Sequence, residues 1–536
     1  MTLANIIYQL RMDADLSQEK FASLLNVSRQ AVQKWETGTA KPDLDKLIAI
    51  SKFFNISLDA LVFGDDARVT EELTYDKTMK PNSTKVYSWE NYAQQLASEY
   101  RQSREEGLQI EAYKGVFSEI SRLQPGAEKD RLADALYHIV ATAEVKRDYP
   151  YHEPSSLDAI RYLKKSCMFQ RPLPERDVLK DKVRGAWYGR ICGCLLGKPI
   201  EGIHTDELVP FLKESGNYPM RRYILSSDIT DEVVEKYKFK FKGRAYPDTI
   251  SEAPVDDDTN YTVLSQLVVQ RYGREFKPYD VSRMWVTQQS IESYCTSERV
   301  AYRNFIDGYA PPSSAVYKNP YREYLGAQIR ADYYGYINPG DPVSAAEMAW
   351  RDASISHVKN GIYGAMFIAA VVASAAATED IREMLGVGIA EIPTASRLYE
   401  EVNRILQMYD AGASKEEVFA DIHAHYDEHN SYDWCHVIPN ALVVTAALLY
   451  GKGDFARSVC MAVETGFDTD CNGATVGSIL GMRNGFSGID AVWTEPLHGR
   501  LATTVFSIGV ASIDELVERT MTHLPACLVC YPRKPC

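Results

Sequence analysis

The chain has no apolar run long enough to cross a bilayer: the longest candidate, Gly364 to Ala377, is too short and too rich in Ala, and reads as a buried helix. Its start, Met1-Thr-Leu-Ala-Asn-Ile-Ile, lacks the basic residues and small-residue cleavage site of a secretory leader. A cytoplasmic protein with no membrane partner is therefore expected. Disulfide patterning is missing too, since ten Cys scattered through 536 residues read as free thiols in that compartment. The tail residues His523, Cys527, Cys530 and Cys536 hold one Cys-x-x-Cys and no second pair, which falls short of a zinc site. Basic excess is absent as well. With 59 Lys and Arg against 73 Asp and Glu, the net charge of −14 excludes broad nucleic-acid binding by the whole surface, so any DNA contact must be local. What remains is globular: 45% of residues are apolar, and the length exceeds what one core supports, so two or three domains are expected.

Against this background two acidic stretches stand out, Val255-Asp256-Asp257-Asp258-Thr259 and Glu464-Thr-Gly-Phe-Asp468-Thr-Asp470-Cys471. Each directly precedes an apolar helical pattern, Asn260 to Gln270 and Gly473 to Leu480. One acid at a helix start is explained as a cap. Three in a row, or Asp468 and Asp470 within one turn of a Gly-flanked loop, are not explained that way, because close like charges repel unless a cation lies between them. Five carboxylates from two places suggest a metal site. Upstream, Gly185, Gly189, Gly193 and Gly197 recur every fourth residue, leaving a bare stripe on one helix face that lets another helix or a ligand come close.

The run Arg184-Gly-Ala-Trp-Tyr-Gly-Arg-Ile-Cys-Gly-Cys-Leu-Leu-Gly-Lys-Pro199-Ile-Glu201, then Asp257-Asp258-Thr259, then Gly466-Phe-Asp468-Thr-Asp470, resembles the ADP-ribosylglycohydrolase family over residues 180 to 515 or so. The resemblance implies an all-α hydrolase with two Mg²⁺ or Mn²⁺ ions that cleaves the glycosidic bond of an ADP-ribosyl group. By position the metal ligands fall on Asp256, Asp257 and Asp258, and on Asp468, Asp470 and Cys471. Asp256 stands where relatives often carry Ser or Thr, and Cys471 where they carry Thr. Carboxylates suit Mg²⁺ or Mn²⁺ whereas a thiolate is soft, so Cys471 is expected to contact the site only weakly. The resemblance places Glu201 in a mobile loop beside the reacting sugar, and Cys194 where relatives carry Asp. The expected catalytic set is Glu201, Asp258 and Asp470, with one metal-holding Asp also taking the proton of the attacking water. Gly326-Ala-Gln328-Ile-Arg330 resembles a loop that wraps the pyrophosphate, although Leu325 replaces the usual Asn, and Ser356-His357 resembles an element near the phosphates. Gly326, Gln328, Arg330 and His357 are thus the expected substrate contacts. Asp332, Asn360 and Tyr363 fit the same wall. An insertion from Asn217 to Val255 carries six aromatic residues, which are not assigned to the adenine base.

At the other end, Ser17 and Ser28 are good helix N-caps, and Phe21, Leu24, Leu25, Val27, Val32 and Trp35 recur at helical spacing around a tight Asn26-Val27 turn. Two such helices make a helix-turn-helix, and the stretch resembles the lambda-repressor and Cro-like family. The resemblance implies that Gln18, Ser28, Arg29, Gln30, Gln33 and Lys34 face double-stranded DNA while Val32 and Trp35 pack inward. With seven Lys and Arg against eight acids over residues 1–65, affinity would have to come from a few focused contacts and from dimerisation, so a homodimer is left open. A helical partner module that no longer binds DNA is the alternative.

The expected organisation is a head at 1–66, a linker at 67–87, a helical region of unassigned role at 88–174, the hydrolase at 175–520 and a tail at 521–536. Two functions follow from it. One is a metal-dependent ADP-ribosyl hydrolase tied to DNA. The other is a transcriptional regulator whose hydrolase-like domain senses ADP-ribose or a related nucleotide without turnover.

Overall fold

The computed structural model describes residues 2–54, 56, 58–63, 86–166, 168–237 and 244–529. The chain forms two compact units, residues 1–83 and 84–536.

In the first unit, α1 (Leu3–Asp13), α2 (Gln18–Leu24), α3 (Arg29–Glu36), α4 (Leu44–Phe54) and α5 (Leu58–Phe63) enclose a small core. The two serines act as caps: Ser17 Oγ accepts from Lys20 N–H and Ser28 Oγ from Ala31 N–H, each at 3.2 Å. Asn26 turns the chain between α2 and α3 in the left-handed region, φ +51°, which Asn tolerates better than most residues. Phe21, Val32 and Trp35 are buried as their spacing requires. The sequence gives no sign of a buried ion pair beneath them, in which Arg11 Nε lies 2.5 Å from Glu36 Oε1 and Arg11 Nη1 donates to Leu16 O at 2.6 Å.

The second unit opens with α6 (Leu96–Glu105), α7 (Lys114–Arg122) and α8 (Ala127–Thr142), which share a core of Tyr92, Leu96, Phe117, Ile120, Ala133, Leu136 and Val140. This region joins the rest of the unit through buried charge. Arg322 pairs with Glu99 at 3.0 Å and Glu106 at 2.6 Å, Lys359 reaches Glu106 at 2.8 Å, and Gln102 donates to Glu323 at 2.5 Å.

The remainder is a helical body that includes α9 (Arg176–Gly197), α10 (Asp257–Tyr272), α11 (Thr296–Ile306), α12 (Pro342–Ala353), α13 (Lys359–Ala375), α14 (Val437–Gly451) and α15 (Thr469–Asn484), with further helices between. Helix α13 contains most of the Ala-rich run and is buried from Asn360 to Ala375. The strands among the described residues are β1 (Arg500–Ala502) and β2 (Val510–Ser512), an antiparallel pair with Arg500 opposite Ser512. The all-α expectation holds.

Helices α9 and α15 meet along their glycines. A Cβ at Gly185, Gly189 or Gly193 would overlap the carbonyl oxygens of Gly481, Gly477 and Gly473 in turn, and the reverse is equally true. The two helices are therefore antiparallel and in backbone contact, a closeness that side chains would forbid. At the end of this seam Gly197 packs on the backbone of Thr469 and Asp470, and Thr469 Oγ1 donates to Gly197 O at 2.9 Å.

Candidate functional site

The glycine seam delivers the second acidic stretch to the end of α9, and a buried arginine delivers the first. Arg190 is fully buried on α9. Its Nη2 donates to Asp258 Oδ1 and to Asp258 O, both at 2.9 Å, and it also pairs with Asp332 and bonds Ile329 O. Burial alone would lower the pKa of this guanidinium, but Asp332 and Asp258 outweigh it and hold the charge. One arginine thus fixes the start of α10 and the wall around Ile329.

At the start of α10 the three aspartates have separate surroundings. Asp256 is the N-cap, Oδ1 accepting from Asp258 N–H at 3.0 Å while Oδ2 pairs with Lys198. The cap explanation therefore accounts for Asp256. It does not account for Asp257, which faces the cavity described below, or for Asp258, whose Oδ2 is buried without a hydrogen-bond partner among the described residues. From α15, Asp470 Oδ1 accepts from Cys471 N–H at 3.0 Å, and Asp468 N–H donates to Asn440 Oδ1 at 3.3 Å. Possible ligand atoms of Asp258, Asp470 and Cys471 all lie within 4.8 Å of one another, as do those of Cys194, Asp256 and Asp258. Burial first, and then the neighbouring carboxylates, push Asp257, Asp258 and Asp468 well above the usual range. Asp470 is raised by burial and by Asp256. Such crowding is the condition that a multivalent cation relieves. The Cys194 and Cys471 thiols are pushed up by burial and by the same acids, and sulfur is a soft donor that suits a hard cation poorly.

Most of these groups border a cavity of about 460 Å³. Glu201, Asp256, Asp257, Asp468, Asp470 and Cys471 line it together with Tyr324, Leu325, Gly326, Trp434, Cys435, Cys295 and Glu298. Glu201 is exposed, in a turn after α9, and its carboxyl is pushed up to about 9 by Asp470, by burial of its oxygens, and by Asp256 and Asp257. Among the described residues Lys198 is the one Lys or Arg on this lining, and Asp256 occupies it.

The sequence-expected substrate contacts divide. Gly326 lines the cavity; Gln328, Arg330 and His357 lie behind its wall, each about 1% exposed. Arg330 pairs with Glu298 at 2.6 Å and with Asp352, and donates to Ser356 Oγ at 2.8 Å. His357 Nδ1 is 2.8 Å from the same hydroxyl, and burial followed by Arg330 keeps the ring neutral. These three residues hold the wall. The reason is local: Leu325–Arg330 is a 3-10 turn, and the sequence cannot say which of its side chains face out. Asp332 supports the same wall through Arg190, and Asn360 bonds Glu323 and Glu153. Sequence reasoning missed Lys198, Arg190, Asn440, Glu298, Cys295, Tyr324, Trp434 and Cys435. They come from four separate segments, and apart from Lys198 and Arg190, inside the first motif, no pattern marks them.

In the insertion, Tyr223 is buried and donates to Trp493 O at 3.0 Å; Phe239 and Phe241 lie outside the described residues, and none of the described insertion aromatics lines the cavity. In the tail, His523 Nδ1 bonds Tyr333 OH at 2.6 Å, while Cys530 and Cys536 lie outside the described residues.

In the first unit, Ser28, Arg29, Gln30, Gln33 and Lys34 are all exposed. Arg29, Gln30, Gln33 and Lys34 share one face of α3, opposite Val32 and Trp35. Gln18 differs, because its amide donates to Glu36 Oε2 at 2.8 Å and so belongs to the Arg11 cluster.

Comparisons with known proteins agree with both halves. The helix-turn-helix family profile matches residues 7–61. The chain is 36% identical over 83 residues to the HTH-type transcriptional activator BcrR of Enterococcus faecalis (16% of this chain, 39% of that protein). It is 30% identical over 105 residues to the antitoxin PezA of Streptococcus pneumoniae (20% and 63%) and 30% over 67 residues to the cryptic phage CTXphi transcriptional repressor RstR of Vibrio cholerae (12% and 60%). The chain thus spans between 39% and 63% of the length of these relatives. A solved structure described as an ADP-ribosylglycohydrolase-related protein complex aligns with 65% of this chain and 98% of its own at 16% identity and a TM-score of 0.41. The ADP-ribosylglycohydrolase family profile matches residues 175–526, two thirds of the chain, and with the acidic stretches gathered at one cavity inside those bounds, the protein belongs to that family.

Proposed function

We propose that the body hydrolyses the glycosidic bond of an ADP-ribosyl group in a metal-dependent reaction, and that the head binds double-stranded DNA. The observation that carries the first part is the crowd of carboxylates at the cavity, with an orphaned, buried Asp258 Oδ2 behind its lining. Its oxygen donors fit Mg²⁺ or Mn²⁺, with Asp256, Asp257, Asp258, Asp468 and Asp470 as the residues that would hold two ions and Cys471 as a marginal neighbour. The chemistry such ions supply when bound is polarisation of sugar hydroxyls and a lower pKa for water.

The chain's own groups do the rest. Asp470 lines the cavity, whereas Asp258 sits behind it with one oxygen taken by Arg190, so Asp470 is the acceptor for the proton of the attacking water. Glu201, exposed at the same edge, orients water or the leaving group, and Tyr324 and Trp434 shield an oxocarbenium-like state from bulk water. Arg29, Gln30, Gln33 and Lys34 are the base- and phosphate-contacting set in the major groove.

A second reading, a nucleotide-sensing regulator without turnover, is favoured by Cys194 and Cys471 standing among the acids. One experiment separates the two. Release of free ADP-ribose is followed from ADP-ribosylated arginine, serine and nucleic acid, with Mg²⁺ or Mn²⁺ and with chelator, for wild type and Asp257→Asn. Metal-dependent release that falls about 100-fold or more in the variant is expected. No release from any substrate, with ADP-ribose binding that alters DNA affinity, would make the protein a sensor.

A further inference from the structure

Glu201 and the metal-holding acids can act together only if the turn that carries Glu201 keeps a fixed spacing from the loop that carries Asp468. Covalently the two are far apart, and the Glu201 turn has the marks of a movable piece. Glu201 and Gly202 are exposed, and Gly202 is left-handed, φ +77°, with open space around it. Upstream the turn is pinned by the Lys198–Asp256 pair and by Arg244, which donates to Pro199 O at 2.8 Å and Glu201 O at 3.2 Å.

Downstream the pin is Glu428, which is 5% exposed and belongs to neither acidic stretch. Its Oε1 and Oε2 each lie 3.1 Å from Thr205 N–H, and Thr205 Oγ1 also donates to Oε1. Thr205 opens a ten-residue helix whose own N-cap, His204, makes no side-chain cap bond, so Glu428 caps that helix from another part of the chain. The carboxylate touches the metal loop as well. A Cβ at Gly466, where φ is +76°, would overlap Glu428 Oε2, and Gly466 is two residues from Asp468. Neighbouring rings repeat the bridge. His429 packs tilted against His204 with centroids 4.3 Å apart, His429 Nε2 is 3.5 Å from Asp206 Oδ1, and His423 stacks on Phe467 at 5.1 Å. The 423–429 segment therefore contacts both the 204–206 stretch and the Gly466–Phe467 loop.

We propose that Glu428 is a positioning residue: it fastens the Glu201 turn to the Gly466–Asp468 loop and so sets the spacing between Glu201 and the metal-holding acids. The proposal rests on the hydrolase reading for its consequence in catalysis but not for its mechanical part.

The test uses the full chain as Glu428→Ala and Glu428→Gln, with Glu391→Gln as a control. Glu391 is a buried carboxylate paired with Lys164 outside the cavity lining. In hydrogen–deuterium exchange, Glu428→Ala is expected to lose protection about 10-fold in both the 201–208 and 464–470 segments. Glu428→Gln should restore most of it, and the control should move neither. Loss confined to 205–208 would reduce Glu428 to a helix cap and overturn the proposal. With substrate and Mn²⁺, Glu428→Ala should lower kcat about 10-fold or more with KM within about 3-fold, and the Gln variant should recover part of kcat. A wild type without turnover would count against the hydrolase reading, while the exchange pattern would still decide whether Glu428 fastens the two segments together.

Discussion

The two units place charge on opposite sides of their cores. In the head, the polar groups proposed to meet DNA stand in water on α3 while Val32 and Trp35 fill the interior, so stability and the proposed binding reside in different side chains. In the body, the acids proposed to hold metal are themselves interior. Asp258 and Asp470 are buried, Arg190 fixes the first, and the backbone seam that places the second is also what holds α9 on α15. On this reading, binding by the head can be removed without touching the fold. In the body the two are entangled, and an acid there is costly until a cation joins it.

That contrast can be broken or sharpened by substitution. The largest effect is expected from Gly477→Leu, which forces a side chain into the carbonyl of Gly189; a cost on the order of 3 kcal/mol or more should appear as lost soluble yield or a much lower Tm. A normal Tm would mean that the seam has slack. Next, Arg29→Ala with Gln33→Ala in the head should weaken binding to a preferred DNA duplex by about 100-fold with Tm unchanged, measured by fluorescence anisotropy at fixed salt. A falling Tm would show that the head is entangled too.

A third, smaller signal tests the cavity acids by linkage. In the metal-free protein Glu201 holds its proton up to about pH 9, so adding Mn²⁺ near pH 7 should expel protons as the added charge drives that carboxyl back down. Above pH 9 Glu201 is already ionised and its share of the release should vanish; calorimetry in buffers of different ionisation enthalpy reads the count. Equal release at both pH values would remove Glu201 from the ion's field. Smallest of all, Cys471→Ser should leave turnover within about 3-fold, because a soft sulfur donor contributes little to a hard cation.

How much of this could be read in the sequence depends on whether a residue announces itself locally. Ser17, Ser28 and the Asp256 to Asp258 run sit at helix starts, where capping chemistry restricts the choice of residue, and the glycine stripe has a period. The partner stripe Gly473, Gly477 and Gly481 directly follows the second acidic stretch, yet the pairing of the two stripes is a tertiary fact. Arg330 and His357 show the limit of carrying roles over by motif. Both belong to the neighbourhood of the cavity, but their side chains turn toward Glu298, Asp352 and Ser356. Gln18 is similar: at the start of α2 it could read bases, but Glu36 engages it, and nothing in the spacing of residues 18 and 36 foretells that.

The charged seam between α6 and the body bears on what counts as a unit of inheritance in this protein. The family match begins at residue 175, but Glu99 and Glu106 lie before it and pair with Arg322 and Lys359, Arg322 being two residues from cavity-lining Tyr324. A fragment trimmed to the recognisable family would leave Arg322 and Lys359 without those carboxylates. The compact unit, residues 84–536, is larger than the matched stretch, so the residues ahead of the match belong to its body rather than to a tether.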